Sequence, residues 1–558
     1  MFIFMFFSFF LFFNSIITVI MFIYFLKFDI SVIFDIDILF MNNVNPTFGI
    51  LIDVYSLFFL CFSKFYFFHS VFLFSVVYMG GVNYLFCFFF LLSMFVFSMF
   101  MLIYSSNLIT SLLGWDGLGF VSYLLVVYYP NKSSLSGGVL TLMTNRLGDS
   151  FMLLSVSFLM VFNMWEELEG SISMFLLVLA AMTKSAQSPF SAWLPAAMAA
   201  PTPVSSMVHS STLVTAGVYV LCRFFSLLPL FISDFSLFCS ILTMFLASVC
   251  ASYENDSKKI IASSTLSQWG VMMFSMSLGL KFLAFFHLII HAFFKALMFL
   301  SGGSLMHGFS GSQDIRFMGS LGVLNPYVMS CLMFSSMCLG AFPFLASFYS
   351  KHLILDSFIF MDYNMFMLLV LYISNSMTLF YSLRLVKFLG SRFFNFNSIV
   401  SLSEDFHIFI SLLLLLVLAM FSGYFLVIYY FSFPVYIFNI AFEKLIMNIM
   451  LPFSIIISYL LLNFVFPFFS LKFNLGNWFF GHMWFISFFS GQFFSYVIFN
   501  LSNFYILNLE QGWGEFYGPR GMGLFFLSMG KFMNFNYFKF MEFYHLNFFF
   551  WLLFIPLL

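Results

Sequence analysis

Apolar runs of about 20 residues, enough to cross a hydrocarbon core as a helix, follow one another from Met1 to Leu558 with short interruptions. This pattern predicts an all-α polytopic membrane protein of about 14 to 16 transmembrane helices. It leaves no segment from which a soluble domain can be cut. The opening apolar run has no Lys or Arg before Lys27 and reads as a retained first span, because a cleavable leader starts with a basic region.

The polar interruptions divide the chain. Residues 1–107 hold N-terminal spans with one polar joint, Asp35 to Asp53. Residues 108–223 carry Asp116, a predicted loop from Tyr129 to Val139, Arg146, Asp149, Lys184 and His209. Residues 224–390 carry the Glu254 to Lys259 joint, His287, His291, Lys295 and Lys351. Apolar spans return over 391–502, and 503–558 is a polar, glycine-containing stretch followed by a last span. Each central block has one apolar segment broken by proline near a lysine: Pro189 follows Lys184, and Pro343 precedes Lys351. Interrupted segments at matching places in two halves are the mark of inverted repeats around a mid-membrane site.

Composition sharpens the class. The 558 residues are 63% hydrophobic and 7% charged, with a net charge of -1, against about 25% charged in soluble domains. With no basic run, nucleic-acid binding and a polybasic lipid-binding role are both excluded. Phenylalanine is 97 of 558, a bias suggesting a T-rich, organelle-encoded gene. The seven cysteines form no CxxC pair, and the Rossmann glycines, P-loop and iron-sulfur spacings are missing from the sequence. Any redox centre must therefore sit in another subunit, and this chain is expected to hold no cofactor or metal.

A charge at mid-membrane costs roughly 2.5–3.5 kcal/mol even on lenient scales, so such residues read as functional by default. His287, His291 and Lys295 recur every four residues in Leu283 to Leu300, which aligns them on one helical stripe. Zinc ligation by the two histidines is set aside, because Leu288 stands where a general-base Glu is needed and no third ligand is evident. Asp116, among Gly114, Gly117 and Gly119, reads either as a helix-packing joint or as a carboxylate paired with Lys184 that tunes its proton affinity. Lys184 itself is a mid-depth amine beside broken backbone, or a snorkelling one. His209 is a relay member or a partner of the nearby Ser and Thr residues. Lys351 and His352 end the second broken segment, where the rival reading is an interfacial helix cap. Lys132, Lys258, Lys259, Arg316 and Lys444 read as loop or interface charges. Arg146 and Asp149, three apart, read as a structural ion pair.

These residues resemble a known family. The stretches GWDGLGFVSYLLVVYY at 114–129, NRLGD at 145–149, KSAQSPFSAWLPAAMAAPTPVSSMVHSSTLVTAG at 184–217, KKIIASSTLSQWG at 258–270, HAFFKALMFLSGGSLMH at 291–307, QDIR at 313–316 and FYSK at 348–351 are similar to the antiporter-like membrane subunits of mitochondrial respiratory complex I. The resemblance implies two inverted five-helix repeats, each with a broken helix, and a lateral helix over about Asn508 to Phe540 before a terminal anchor. It also implies a proton relay with Asp116 and Lys184 as the carboxylate–lysine pair, His209, His287 and His291 as connectors, Lys295 as the central lysine and Lys351 as the terminal one. The family's carboxylate after that lysine is replaced by His352, which leaves open whether His352 or Asp356 substitutes for it. By the same resemblance NADH, FMN, iron-sulfur clusters and ubiquinone belong to partner subunits, and the chain is multi-pass in the mitochondrial inner membrane, bound to other membrane-arm and accessory subunits. The rival functions are a structural strut with an idle channel and a sodium/proton antiporter subunit.

Overall fold

A computed structural model describes residues 2–37, 47–77, 85–129, 131–162, 171–224, 229–309, 311–360, 364–390, 406–430, 441–460, 474–486, 488–489 and 494–554. It forms two compact units, Met1–Ser487 and Phe488–Leu558. With no water in a bilayer core, backbone groups must bond within the segment, and the apolar runs duly form helices.

The order is α1 (Phe2–Phe28), strands β1 (Val32–Asp37) and β2 (Thr47–Ile52), α2 (Val54–Val77), α3 (Leu85–Tyr104), α4 (Leu108–Val127), α5 (Lys132–Phe162) and α6 (Ser171–Lys184). Short pieces follow: α7 (Trp193–Ala196), α8 (Thr202–Met207), a π-turn over Val208–Thr212, and α9 (Leu213–Arg223). Then come α10 (Leu230–Tyr253), α11 (Ser257–Ser277), α12 (Lys281–Gly308), α13 (Leu321–Leu324), α14 (Pro326–Leu339), α15 (Ala346–Phe360), α16 (Met365–Gly390), α17 (Phe406–Tyr430), α18 (Ala441–Leu460) and α19 (Asn474–Gly481). The second unit holds α20 (Phe494–Tyr505), a π-helical stretch Ile506–Gly514, α21 (Glu515–Tyr517) and α22 (Pro519–Phe554).

Among the described residues, eight helices are long and apolar enough to cross a membrane, and four more apolar helices are shorter. Helices α5 and α11 fall outside this set on hydropathy, not length, at 31 and 21 residues. On α11 the Ser, Thr and Gln side chains face protein, as do Ser134, Thr141, Asn145 and Ser155 on α5, so neither helix need be apolar all round. Helix α12 is the hub, packing against α8, α11, α14, α15 and α17. Its apolar window is 94% buried against 22% for α1, so α12 is the axis and α1 the rim.

Several expectations change. The joint from Asp35 to Asp53 contains an antiparallel hairpin, Val32 pairing Ile52 and Asp37 pairing Thr47; residues 38–46 lie outside the described residues. Arg223 Nη1 holds Asp53 Oδ2 at 2.6 Å, fixing the hairpin's end to α9. The predicted loop from Tyr129 to Val139 is mostly helix, since α5 begins at Lys132. Ser134 Oγ there accepts from Asn131 N at 3.2 Å, supplying one of the partners that a helix start lacks. Of the expected loop or interface charges, Lys444 lies in α18.

Both proline-marked breaks are present. After α6 the backbone turns through Ala186 at φ 54°, and after α14 through Ala341 at φ 56° and Phe344 at φ 66°, a left-handed conformation costing roughly 1–2 kcal/mol for such residues. Tertiary bonds hold the first break in place. Trp193 Nε1 donates to Thr183 O at 3.0 Å, and Thr243 Oγ1 donates to Gln187 Oε1 at 2.6 Å. At the second, Ser347 Oγ donates to Cys338 O.

In the second unit the glycines at 512, 514 and 518 coincide with the π-helical stretch and with a break at Gly518, whose ψ is -134°. One unbroken helix of 36 residues then runs through Phe554, so no separate final span is distinguished there.

Candidate functional site: a buried lysine and histidine row

The row begins where α6 meets α4. Lys184, the last residue of α6, is fully buried and donates from Nζ to the Trp115 carbonyl at 3.0 Å. The same ammonium lies 4.9 Å from the centroid of the Trp115 ring, within cation–π range. Room for it comes from Gly119, where a Cβ would lie 3.2 Å from Nζ. Gly217 performs the same service behind it: a Cβ there would come within 2.6 Å of Ala181 O, so only glycine lets α9 close on α6.

The expected ion pair between Asp116 and Lys184 is not among those formed by the described residues. Asp116 is exposed on the outer face of α4, because adjacent helical residues point about 100° apart and Trp115 takes the inner face. The carboxylate joined to the lysine's surroundings is Asp149, whose Oδ1 accepts from Trp115 Nε1 at 3.0 Å. Its Oδ2 accepts from Arg146 at 3.1 Å. The ion pair expected from the sequence therefore exists and also anchors the indole under Lys184.

His209 sits in the π-turn between α8 and α9, buried, with its ring 5.9 Å from that of Trp193. Its neighbouring hydroxyls serve the backbone instead of the imidazole: Ser210 Oγ donates to Ser206 O, and Thr212 Oγ1 to Met207 O at 2.8 Å. Neither ring nitrogen has a hydrogen-bond partner among the described residues.

The α12 stripe forms as the spacing requires. The His287 and His291 ring centroids are 6.3 Å apart, and His287, His291 and Lys295 are all fully buried. Helix α11 supplies the facing polar groups. Lys295 Nζ donates to Ser264 Oγ, and His287 Nε2 lies 3.1 Å from Gln268 Oε1. Ser267 Oγ lies 3.3 Å from Tyr381 OH on α16. His291 packs between Trp269 and Phe294, at 5.4 and 5.3 Å, with neither nitrogen hydrogen-bonded among the described residues.

The far end is joined through α15. His287 Nδ1 lies 2.8 Å from Ser350 Oγ, and the next residue, Lys351, is buried with Nζ donating to Thr378 Oγ1 at 3.4 Å. Burial counts against an interfacial cap. His352 is half-buried with its ring 4.5 Å from that of Phe348. Neither His352 nor Asp356 hydrogen-bonds Lys351 among the described residues.

Lys258 departs from the expected loop or interface charge. It is only 7% exposed and donates to Ala200 O at 3.2 Å, so it is a fourth buried lysine near the first broken segment. No shared polar stripe marks it, since Lys258 stands about 120° around α11 from Ser264, and its neighbour Lys259 projects outward to Asp256 at 3.0 Å.

The joint leading into α11 is clamped. Arg384 donates to the carbonyls of Ser252 and Glu254 and, at 3.0 Å, to Asn255 Oδ1. The backbone on either side of Asp314 pairs with that joint, Ser257 N donating to Gln313 O at 2.8 Å and Ile315 N to Asn255 O at 3.1 Å, and the Asp314 carboxylate is held by Arg316 at 2.5 Å. Burial pushes the Asp314 carboxyl up, but the hydrogen bonds from Arg316 outweigh it and hold the group below the usual carboxylate range. Burial raises Glu254.

Paired broken helices around a buried row of lysines define an antiporter-like membrane protein. The family described as NADH:quinone oxidoreductase/Mrp antiporter, TM, matches residues 105–378, which include all eight candidate residues. The family described as NADH dehydrogenase subunit 5 C-terminus matches residues 381–558. The chain is 43% identical over 475 residues to NADH-ubiquinone oxidoreductase chain 5 of Locusta migratoria, covering 82% of this chain and 83% of that one. The chain of that name from Anopheles gambiae is 44% identical over 444 residues, covering 77% and 76%. A chain in the Mrp complex from Dietzia sp. DQ12-45-1b superposes with a TM-score of 0.68 at 21% identity, over 82% of this chain and 54% of that one. That is a likeness of fold, and this chain spans about half of its length. The chain belongs to the NADH-ubiquinone oxidoreductase chain 5 family.

Proposed function

We propose that this chain translocates protons as a membrane subunit of respiratory NADH:ubiquinone oxidoreductase in the mitochondrial inner membrane. NADH, FMN, iron-sulfur clusters and ubiquinone are handled by partner subunits, and this chain supplies no redox centre. The observation that carries the reading is the complete burial of Lys184, His287, His291 and Lys295, with His209 and Lys351 all but buried. Six titratable groups held away from lipid have no packing purpose that apolar residues would not serve better.

Protons pass between Lys184, His209, Lys295, His291, His287 and Lys351 through hydroxyl groups and water admitted to the axis. Ser264 and Ser350 are the hydroxyl steps at Lys295 and His287. Moving a charge against the membrane potential costs about 2.3 kcal/mol per 100 mV, within reach of the pKa swings of several units that burial and pairing produce.

Asp116 supports assembly. It shares its outward face with exposed Leu113 and Phe120 in mid-span, where a carboxylate against lipid is costly. In the complex that face meets a neighbouring subunit bearing a basic or hydrogen-bonding group. Helix α22, exposed along its described side chains, is the lateral helix in this reading, and a strut role for it accompanies transport.

The test is Lys295→Ala in the assembled complex, reconstituted in proteoliposomes. Proton uptake per quinone reduced should fall sharply. Unchanged uptake at an unchanged rate of quinone reduction would rule the assignment out.

A further inference from the structure

The cavity beside Lys351 has a chemistry that proton transfer does not use. About 260 Å³ of space lies where α15, α16 and α18 meet. Lys351, His352 and Asn375 line it on the inside, and Leu369, Ile373 and Phe453 on the outside. Those last three are exposed on the surface of the helical unit, so the mouth opens toward lipid. Within, the Lys351 ammonium makes one long hydrogen bond, 3.4 Å to Thr378 Oγ1. The ion pairs of the described residues all lie elsewhere. A buried ammonium without a counter-charge is the group that an entering anion stabilises most.

We propose that this cavity takes the carboxylate end of a long-chain fatty acid from the bilayer. The carboxylate meets Lys351 Nζ, with Asn375 and His352 as polar neighbours, and the chain runs out past Leu369, Ile373 and Phe453. One positive charge with neutral polar flanks suits a small monovalent head. The volume falls just below the range of ligand sites, roughly 300–1,000 Å³, so it accommodates the head and first methylenes while the rest of the chain stays in lipid. A phosphodiester headgroup with glycerol and two chains exceeds it. The site rests on where Lys351 lies, not on proton transfer through it, so loss of the one reading leaves the other standing.

The experiment is photolabelling of the assembled complex with a diazirine-bearing palmitate, followed by peptide mapping. Label is expected on α15, α16 or α18 around the cavity. It should fall about tenfold or more in Lys351→Met, the usual scale for removing one partner of a buried charge pair, and persist in Lys351→Arg. Ile373→Trp, which fills the mouth and leaves the lysine intact, should abolish it while NADH-driven quinone reduction continues. The matching diazirine alcohol should label these peptides weakly. Equal labelling by acid and alcohol, labelling indifferent to Lys351→Met and Ile373→Trp, or labelling by a diazirine phosphatidylcholine in place of the acid would overturn the proposal.

Discussion

The His287 Nδ1 to Ser350 Oγ contact of 2.8 Å ties the central histidine stripe on α12 to the residue directly before Lys351 on α15. With Gln268 Oε1 an acceptor at Nε2, neutral His287 carries its proton on Nε2 and accepts from Ser350 at Nδ1. A change of protonation at His287 therefore reverses the direction of the Ser350 bond beside Lys351.

Ser350→Ala removes that link and leaves Nδ1 unpaired in the core, a cost of about 1–3 kcal/mol. Proton uptake should fall several-fold with assembly intact, and Ser350→Thr should restore it. Proteoliposome acidification measured beside native gel migration checks both. Uptake by Ser350→Ala equal to the unmodified chain would remove Ser350 from the path.

Gly119 is the space that Lys184 occupies. Gly119→Leu should displace the ammonium from the Trp115 carbonyl, since even a Cβ lies 3.2 Å from Nζ, and should depress pumping more than Gly119→Ala. The graded order Gly, Ala, Leu in proton uptake is the readout. Trp115→Phe, which keeps a ring but deletes the donor to Asp149, should give an intermediate loss.

Lys258 should matter as much as Lys295. Lys258→Met removes a nearly buried ammonium bonded to Ala200 O, and is expected to lower proton uptake without lowering the amount of assembled complex. Lys259→Met, which changes an exposed partner of Asp256, should do neither, surface pairs being worth about 0–1 kcal/mol. Equal behaviour of the two variants would return Lys258 to the ordinary loop charges.

Arg384 serves structure. Its guanidinium satisfies two carbonyls and Asn255 at the α10–α11 joint, so Arg384→Met should cost about 1.5–3 kcal/mol per charged hydrogen bond lost, less whatever water replaces. Reduced complex abundance and a lower unfolding temperature should accompany normal pumping per assembled complex. A selective loss of pumping would instead make Arg384 part of the path.

The apolar runs, the two proline-marked breaks and the His287, His291, Lys295 stripe were legible in the sequence, because helix period and membrane length are local properties of consecutive residues. Asp116 and Lys258 show where local reading stops. A residue in the middle of an apolar run has the same sequence whether it faces the axis or the outside, and one residue of offset decides between them. Trp115 takes the inward position on α4, so Asp116 is turned out and Asp149 on α5 becomes the carboxylate behind Lys184. On α11, Lys258 points in and Lys259 out. Sequence by itself thus determined the class, the helices and which residues carry protonatable groups. The tertiary structure alone decided which of those groups meet, because contacts between helices depend on rotation about their axes and on small residues such as Gly119 and Gly217 that let them close.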